Sequence, residues 1–282
     1  MSSLRRKCST NMPAPPIDSW LTEPLPEAVA ATRGYLICAT PRSGSYYLCD
    51  LLRSTGVLGR PHEYFGDAAL RALGRASHSA GFGDRLGMAR TWGCTANGVF
   101  GAKLFPLQLA ATPPGAIVAG MGHPQLIQLE RADQLGQAIS LTRAAISNSF
   151  FAQQQSTNEP QFDAPLIRDY LELVIRWNAA WQLWFARHGV VPLRVLYEDL
   201  VSDPQGNIDR VAAALGVTAV ARIDPAKLTM VIQRDALSEE WRERFLAGQP
   251  QDRPFELPRP AAMVRLNRRV RRLLRMIGLR RD

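Results

Sequence analysis

The sequence predicts an α/β protein with a P-loop-like fold, a mostly parallel sheet flanked by helices on both faces. Two observations carry this. Short β-rich runs alternate with helical patterns along the chain, as they do where crossover helices join parallel strands. The first apolar run also ends in a loop of proline, glycine and small hydroxyl residues that opens directly into a helix. At 282 residues, the chain can bury roughly three quarters of its unfolded surface, enough for a single large core.

In order, Tyr35 to Ala39 read as a strand before a helix near 45–54, and Gly98 to Leu104 as a second strand. Leu126 to Arg131 form a third strand, leading into a helix near 133–148. A long helix near 164–187 follows, carrying Leu166, Ile167, Tyr170, Leu171, Val174, Trp177, Trp181, Trp184 and Phe185 at helical spacing. That aromatic stripe reads as core packing. Leu193 to Tyr197 close the set as a fourth strand, with Tyr197, Glu198 and Asp199 in a structural role at its end. Residues 66–97, rich in Gly, Ala and Ser, read as a long mobile excursion, for which substrate selection and a plain surface loop both stand.

Composition sets the outer bounds. Hydrophobic residues make up 46% and charged residues 21%, and no run is long and apolar enough to span a membrane. Cys8, Cys38, Cys49 and Cys94 show no CxxC pairing and read as buried free thiols of a reducing cytoplasm. Residues 1–33 form a proline-rich leader without the apolar core of a secretory signal. The net charge of +9 is concentrated in residues 265–282, which hold eight arginines and one acid. The body at 34–258 is therefore nearly neutral, and 259–282 form a basic amphipathic tail. Leu266, Val270, Leu273, Leu274 and Ile277 recur there at helical spacing. Peripheral contact with the inner face of a membrane and docking on the core are both open for the tail; nucleic acid is disfavoured, since no aromatics interleave with the arginines.

The loop Thr40 to Ser45 is built to hold an anion. The amides of roughly Ser43 to Tyr46 should point unpaired out of a helix N-terminus. Gly44 lets the backbone approach a ligand, Ser43 and Ser45 offer hydroxyls, and Arg42 supplies a planar cation suited to oxyanions. The pattern GxxxxGK[ST] of nucleotide triphosphatases is absent, because the loop has no lysine, and that removes support for ATP-driven phosphoryl transfer.

The segment "YLICATPRSGSYYLCDLLRSTGVLGRPHEYF" resembles the opening of the bacterial carbohydrate sulfotransferases typified by mycobacterial trehalose 2-sulfotransferase. "NGVFGAKL", "ERADQLGQAISLTRA", "VLYEDL" and "QRDALSEEWRERF" follow in the expected order, and the resemblance spans about residues 34–246. It implies 3′-phosphoadenosine-5′-phosphosulfate (PAPS) as sulfuryl donor, no metal requirement, a carbohydrate acceptor such as a trehalose-like sugar, and a homodimer as one possible state; the segment 66–97 and the basic tail depart from it and would suit lipopolysaccharide or another glycolipid acceptor.

On this resemblance, Arg42, Ser43, Gly44, Ser45 and Tyr46 hold the 5′-phosphosulfate, and Arg131 and Ser140 converge on the 3′-phosphate, assisted by Arg143. Glu63 is the expected general base, ionised at neutral pH with an unperturbed pKa of about 4.3, and partial burial should raise its basicity. His62 is the alternative, although neighbours in an extended segment point to opposite sides. Lys103 would neutralise the transferred group or position the acceptor. Gln233, Arg234 and Trp241 fall in a segment near the nucleotide, where binding, core and surface roles all stand. The rivals are an ATP-dependent small-molecule kinase and a non-enzymatic membrane or nucleic-acid adaptor acting through the arginine tail.

Overall fold

The computed structural model of the protein describes residues 30–66, 81–110, 114–147, 160–229 and 236–250. Most of the leader, the basic tail, and Gln233 and Arg234 lie outside the described residues, as does Cys8.

Four strands, β1 (Arg33–Cys38), β2 (Val99–Leu104), β3 (Gln125–Glu130) and β4 (Leu193–Leu196), form one sheet in the order β2-β1-β3-β4. Every pairing is parallel, with Ile37 beside Lys103 on one side and Cys38 beside Gln128 on the other. From β1 the chain runs out to β2 and then returns to the opposite side of β1 for β3. The order thus reverses between β1 and β3, and the connections leaving their carboxyl ends diverge. That is where open α/β sheets leave a ligand crevice.

Alternation along β1 divides the core. Tyr35 and Ile37 face α1 (Ser45–Ser54), packing with its Leu48, Leu51 and Leu52. Ile208 and Val211 of α7 (Pro204–Ala214) complete that side. Leu36 and Cys38 face the other way, against Trp181 and Phe185 of the long helix α5 (Ala164–Arg187). Helix α2 (Phe82–Trp92) and helix α3 (Pro114–Gly120) add Met88, Ala89 and Ile117 to this second layer.

Local chemistry explains the boundaries of α5. The Asp163 carboxylate accepts the Leu166 amide at 2.9 Å and a proline occupies the first turn, while Gly189, with φ of 61°, follows its C-terminal end. Its aromatic stripe is core, as expected: Trp177, Trp181 and Phe185 are all buried. The Trp181 indole also donates to Ala39 O at 2.9 Å, tying α5 to the start of the anion loop.

Two sequence expectations change, and one open alternative is decided. Strand β4 ends at Leu196, and Tyr197 begins helix α6 (Tyr197–Ser202), whose first turn carries Glu198 and Asp199 near its positive end. Within 66–97, residues 82–92 form α2 rather than a continuous excursion. Trp241, on helix α8 (Ala236–Ala247), is core: it packs with Phe245, with Ile167, and with Ile139 of helix α4 (Gln134–Ser147). Cys38, Cys49 and Cys94 are buried and free, as expected. Among the described residues, no helix is long and apolar enough to cross a membrane.

Candidate active site

The loop between β1 and α1 places its residues through two left-handed backbone conformations, Arg42 at φ of 63° and Gly44 at 87°. A side chain other than glycine held there is strained by about 1–3 kcal/mol, and such strain concentrates at ligand sites. Gly44 is required for a second reason: a Cβ there would lie 2.2 Å from the Tyr197 ring. The loop and the start of α6 are therefore closed against each other. Helix α1 makes its first own hydrogen bond from Leu48 N–H to Gly44 O at 3.1 Å, so the amides of Gly44 and Ser45 precede it. Ser43 departs from expectation, since its amide donates to Thr40 O at 3.2 Å. Its buried hydroxyl, by contrast, has no hydrogen-bond partner among the described residues.

Arg42 extends across the crevice and donates from Nε to Ser140 Oγ on α4 at 2.9 Å. Burial pulls the Arg42 guanidinium below its ordinary range, and the nearby charges of Arg131 and Arg143 act in the same direction against Tyr46 and Tyr197. Three like charges thus gather where the loops after β1 and β3 meet. Ser140 is bonded to Arg42, near which the Arg131 charge also lies. Gln137 fastens the two loops, donating to Thr40 Oγ1 at 2.8 Å and to Pro41 O at 2.6 Å, while its own buried Oε1 has no partner.

The loop after β3 is held by residues that the sequence reading left as structural or did not single out. Glu198 accepts the amides of Ala132 and Asp133 at 3.0 and 3.1 Å, one on each carboxylate oxygen. Arg131 lies over the Tyr197 ring, its guanidinium carbon 5.2 Å from the centroid. The helical start at Tyr197 is what brings both side chains to this corner.

A second polar cluster forms beside the first. Lys103, in the strand beside β1, is completely buried and on the same side of the sheet as α1. Its ammonium lies 3.0 Å from Glu63 Oε1 and 3.3 Å from the centroid of the Tyr46 ring. Tyr46 donates its hydroxyl to the same oxygen at 3.1 Å, and Gln108 donates to Oε2 at 3.2 Å. The Tyr46 side chain thus reaches Glu63, while its backbone belongs to the first turn of α1. The expected rise in Glu63 basicity is overturned too. Burial does push the carboxyl up, but the charges of Lys103 and His62 and the bonds from Lys103 and Tyr46 outweigh it and hold it below the usual carboxylate range. The His62 ring meets Tyr46 edge-on at 6.4 Å and lies tilted against Tyr64 at 5.8 Å between ring centroids. Its backbone pairs with β2 through Lys103 N–H to His62 O at 2.9 Å, which fixes Glu63 next to Lys103.

A strand–loop–helix anion cradle with surplus arginine charge, adjoining a buried carboxylate–lysine pair, defines an enzyme that moves an oxyanion group. Residues 34–248 match the family described as Stf0 sulphotransferase, and the chain belongs to that family. It is similar to trehalose 2-sulfotransferase of Mycobacterium tuberculosis, 27% identical over 263 residues that cover 78% of this chain and 97% of the relative. It is also similar to trehalose 2-sulfotransferase of Mycolicibacterium smegmatis, 28% identical over 255 residues that cover 75% and 93%. Among solved structures, the sulfotransferase domain from the curacin biosynthetic pathway is similar with a TM-score of 0.45 and 15% identity, over 90% of this chain and 100% of that one.

Proposed function

We propose that this sulfotransferase moves the sulfuryl group of PAPS to a hydroxyl of a carbohydrate or glycolipid acceptor, with Glu63 as general base. One observation carries the reading. Tyr46, in the first turn of the helix whose N-terminus is the anion cradle, donates to Glu63 at 3.1 Å, so donor site and base are one hydrogen bond apart. The residues fit a doubly phosphorylated nucleotide: three arginines converge, and the Ser43 hydroxyl is a buried donor with no partner of its own.

In transfer the acceptor oxygen forms a bond to sulfur as the bond between sulfur and the phosphate oxygen breaks. Glu63 takes the acceptor's proton, and the departing bisphosphate keeps the electron pair. Charge grows on the bridging oxygen, where Arg42 and the amides at the start of α1 offset it without rearrangement. Lys103, held on Glu63 before the donor arrives, offers a cation to the sulfuryl oxygens. The trehalose relatives support a sugar acceptor. A kinase reading lacks the loop lysine that would hold terminal phosphates.

The test is calorimetric binding of 3′,5′-adenosine bisphosphate against ADP and ATP, in EDTA, to the full chain and to Arg131→Ala. The bisphosphate should bind best, and the substitution should weaken it by about tenfold or more, as expected for a charge-assisted hydrogen bond. Preference for ATP, or no binding, would return the loop to a kinase or a structural role.

A further inference from the structure

The loop after β3 carries a carboxylate that the chemistry above leaves unused. Asp133 Oδ1 accepts the Gly136 amide at 2.9 Å, capping the N-terminus of α4. A cap needs only one oxygen. The other, Oδ2, accepts from Arg131 Nη2 at 3.2 Å and from Arg242 Nη2 at 2.6 Å. Arg242 comes from α8, more than a hundred residues along the chain. The same helix reaches the next arginine as well, because Arg143 Nη1 donates to Ser238 Oγ at 2.6 Å. The cluster sits directly on bare backbone: a Cβ at Gly136 would lie 2.0 Å from Asp133 Oδ2 and 2.8 Å from Nη2 of both Arg131 and Arg242. Burial pushes the Asp133 carboxyl up, yet the Arg242 bond, the Gly136 amide and the Arg131 charge together hold it below the usual range.

We infer that Asp133 and Arg242 are positioning residues for donor binding: Asp133 draws Arg131 onto the crevice, Arg242 locks Asp133 in place, and α8 thereby forms one wall of the nucleotide site. This rests on the reading of Arg131 as a cation for the donor's 3′-phosphate. Two arginines at the positive end of a helix repel each other and the helix dipole. One shared carboxylate is what lets both stay.

Charge and position predict opposite signs for Asp133→Asn, which makes the idea sharp. By charge alone, deleting an anion beside an anion site strengthens binding of a phosphate. If Asp133 acts by placing Arg131, the same change weakens it. Asparagine caps helices about as well as aspartate, so α4 should persist. Calorimetry with the full chain should show Asp133→Asn binding 3′,5′-adenosine bisphosphate about tenfold more weakly, with ADP, which lacks the 3′-phosphate, unaffected. Arg242→Gln should weaken the bisphosphate in the same selective way, and the double variant should lose less than the two single losses combined, because both act through one link. Unchanged or tighter bisphosphate binding in Asp133→Asn overturns the inference, as does an equal loss for ADP. Should Asp133→Asn fail to fold, Arg242→Gln decides alone: unaltered bisphosphate affinity there sinks the inference. A wild type that does not prefer the bisphosphate to ADP would remove the donor reading itself, a distinct result from a selective wild type with an indifferent variant.

Discussion

The two halves of the site handle charge in opposite ways. At the cradle, the charges of Arg131 and Arg143 both act on Arg42, and Asp133 pairs with Arg131. At the base corner, Lys103 and Glu63 cancel each other in a setting where Lys103 is fully buried and the Glu63 side chain is 13% exposed. A buried lysine without a counter-ion would be expensive, so this pair stabilises the fold. On the proposed function, an anionic donor would complete the charge of the first half, while the second is already paired. Substitutions in the first should therefore register in donor binding, and substitutions in the second in turnover and its pH dependence.

The largest effect should come from Glu63→Gln. It keeps the shape but removes the proton acceptor, and its amide N–H₂ can no longer accept where one of Lys103, Tyr46 and Gln108 now donates, so turnover should fall by about 10²–10⁴-fold. With trehalose as probe acceptor and radiolabelled PAPS as donor, the rate should collapse while bisphosphate affinity, measured by calorimetry, stays within about twofold, because general-base catalysis is a turnover effect. A native rate would move the base elsewhere, with His62 first in line.

Lys103→Met should have the next largest effect, and it tests the charge pairing directly. In the native corner burial favours the neutral acid, but Lys103, with His62 and Tyr46, outweighs it and leaves the Glu63 carboxyl depressed. A depressed carboxyl contributes stability above its unfolded pKa, and that contribution is lost as pH falls through the folded value. Without the ammonium only His62 and Tyr46 oppose burial, so the carboxyl rises and the variant loses less stability than the wild type as pH falls. The acid limb of its kcat/KM profile should move to higher pH, and its melting temperature should no longer fall first at low pH. An acid limb that stays in place would mean that Lys103 does not set the state of the base.

The same division explains what the sequence could reveal. The strands and α5 were legible because their determinants are local: an apolar run closed by glycine or proline, an aspartate before a proline-bearing first turn, a glycine after the last. The cradle was legible for the same reason, since Arg42 to Ser45 are consecutive. Tyr197 misled because an aromatic residue after β-rich neighbours looks like strand, and only the acids that follow it mark a helix start. The base corner was half visible. Glu63 and Lys103 were named separately, but the direction of the Glu63 shift depends on an ammonium from another strand at 3.0 Å. Tyr46 to Glu63, Gln108 to Glu63 and Arg242 to Asp133 join residues 17, 45 and 109 apart in sequence, and no periodicity records such partners. Asp133 alone left a local trace, as a capping residue three positions before Gly136.

The smallest effect separates the two carboxylate oxygens of the base. Oε1 takes both Lys103 and Tyr46, whereas Oε2 takes Gln108, which is itself fixed by the Phe105 amide donating to its Oε1 at 2.9 Å. The less occupied oxygen has more lone-pair capacity left for an acceptor hydroxyl, so Gln108 orients the base rather than the donor. Gln108→Leu keeps the volume and removes one hydrogen bond worth about 1 kcal/mol, so kcat should fall about fivefold with the KM for PAPS unchanged. A change confined to that KM would assign Gln108 to the cradle, and the boundary drawn between the two halves would have to move past it.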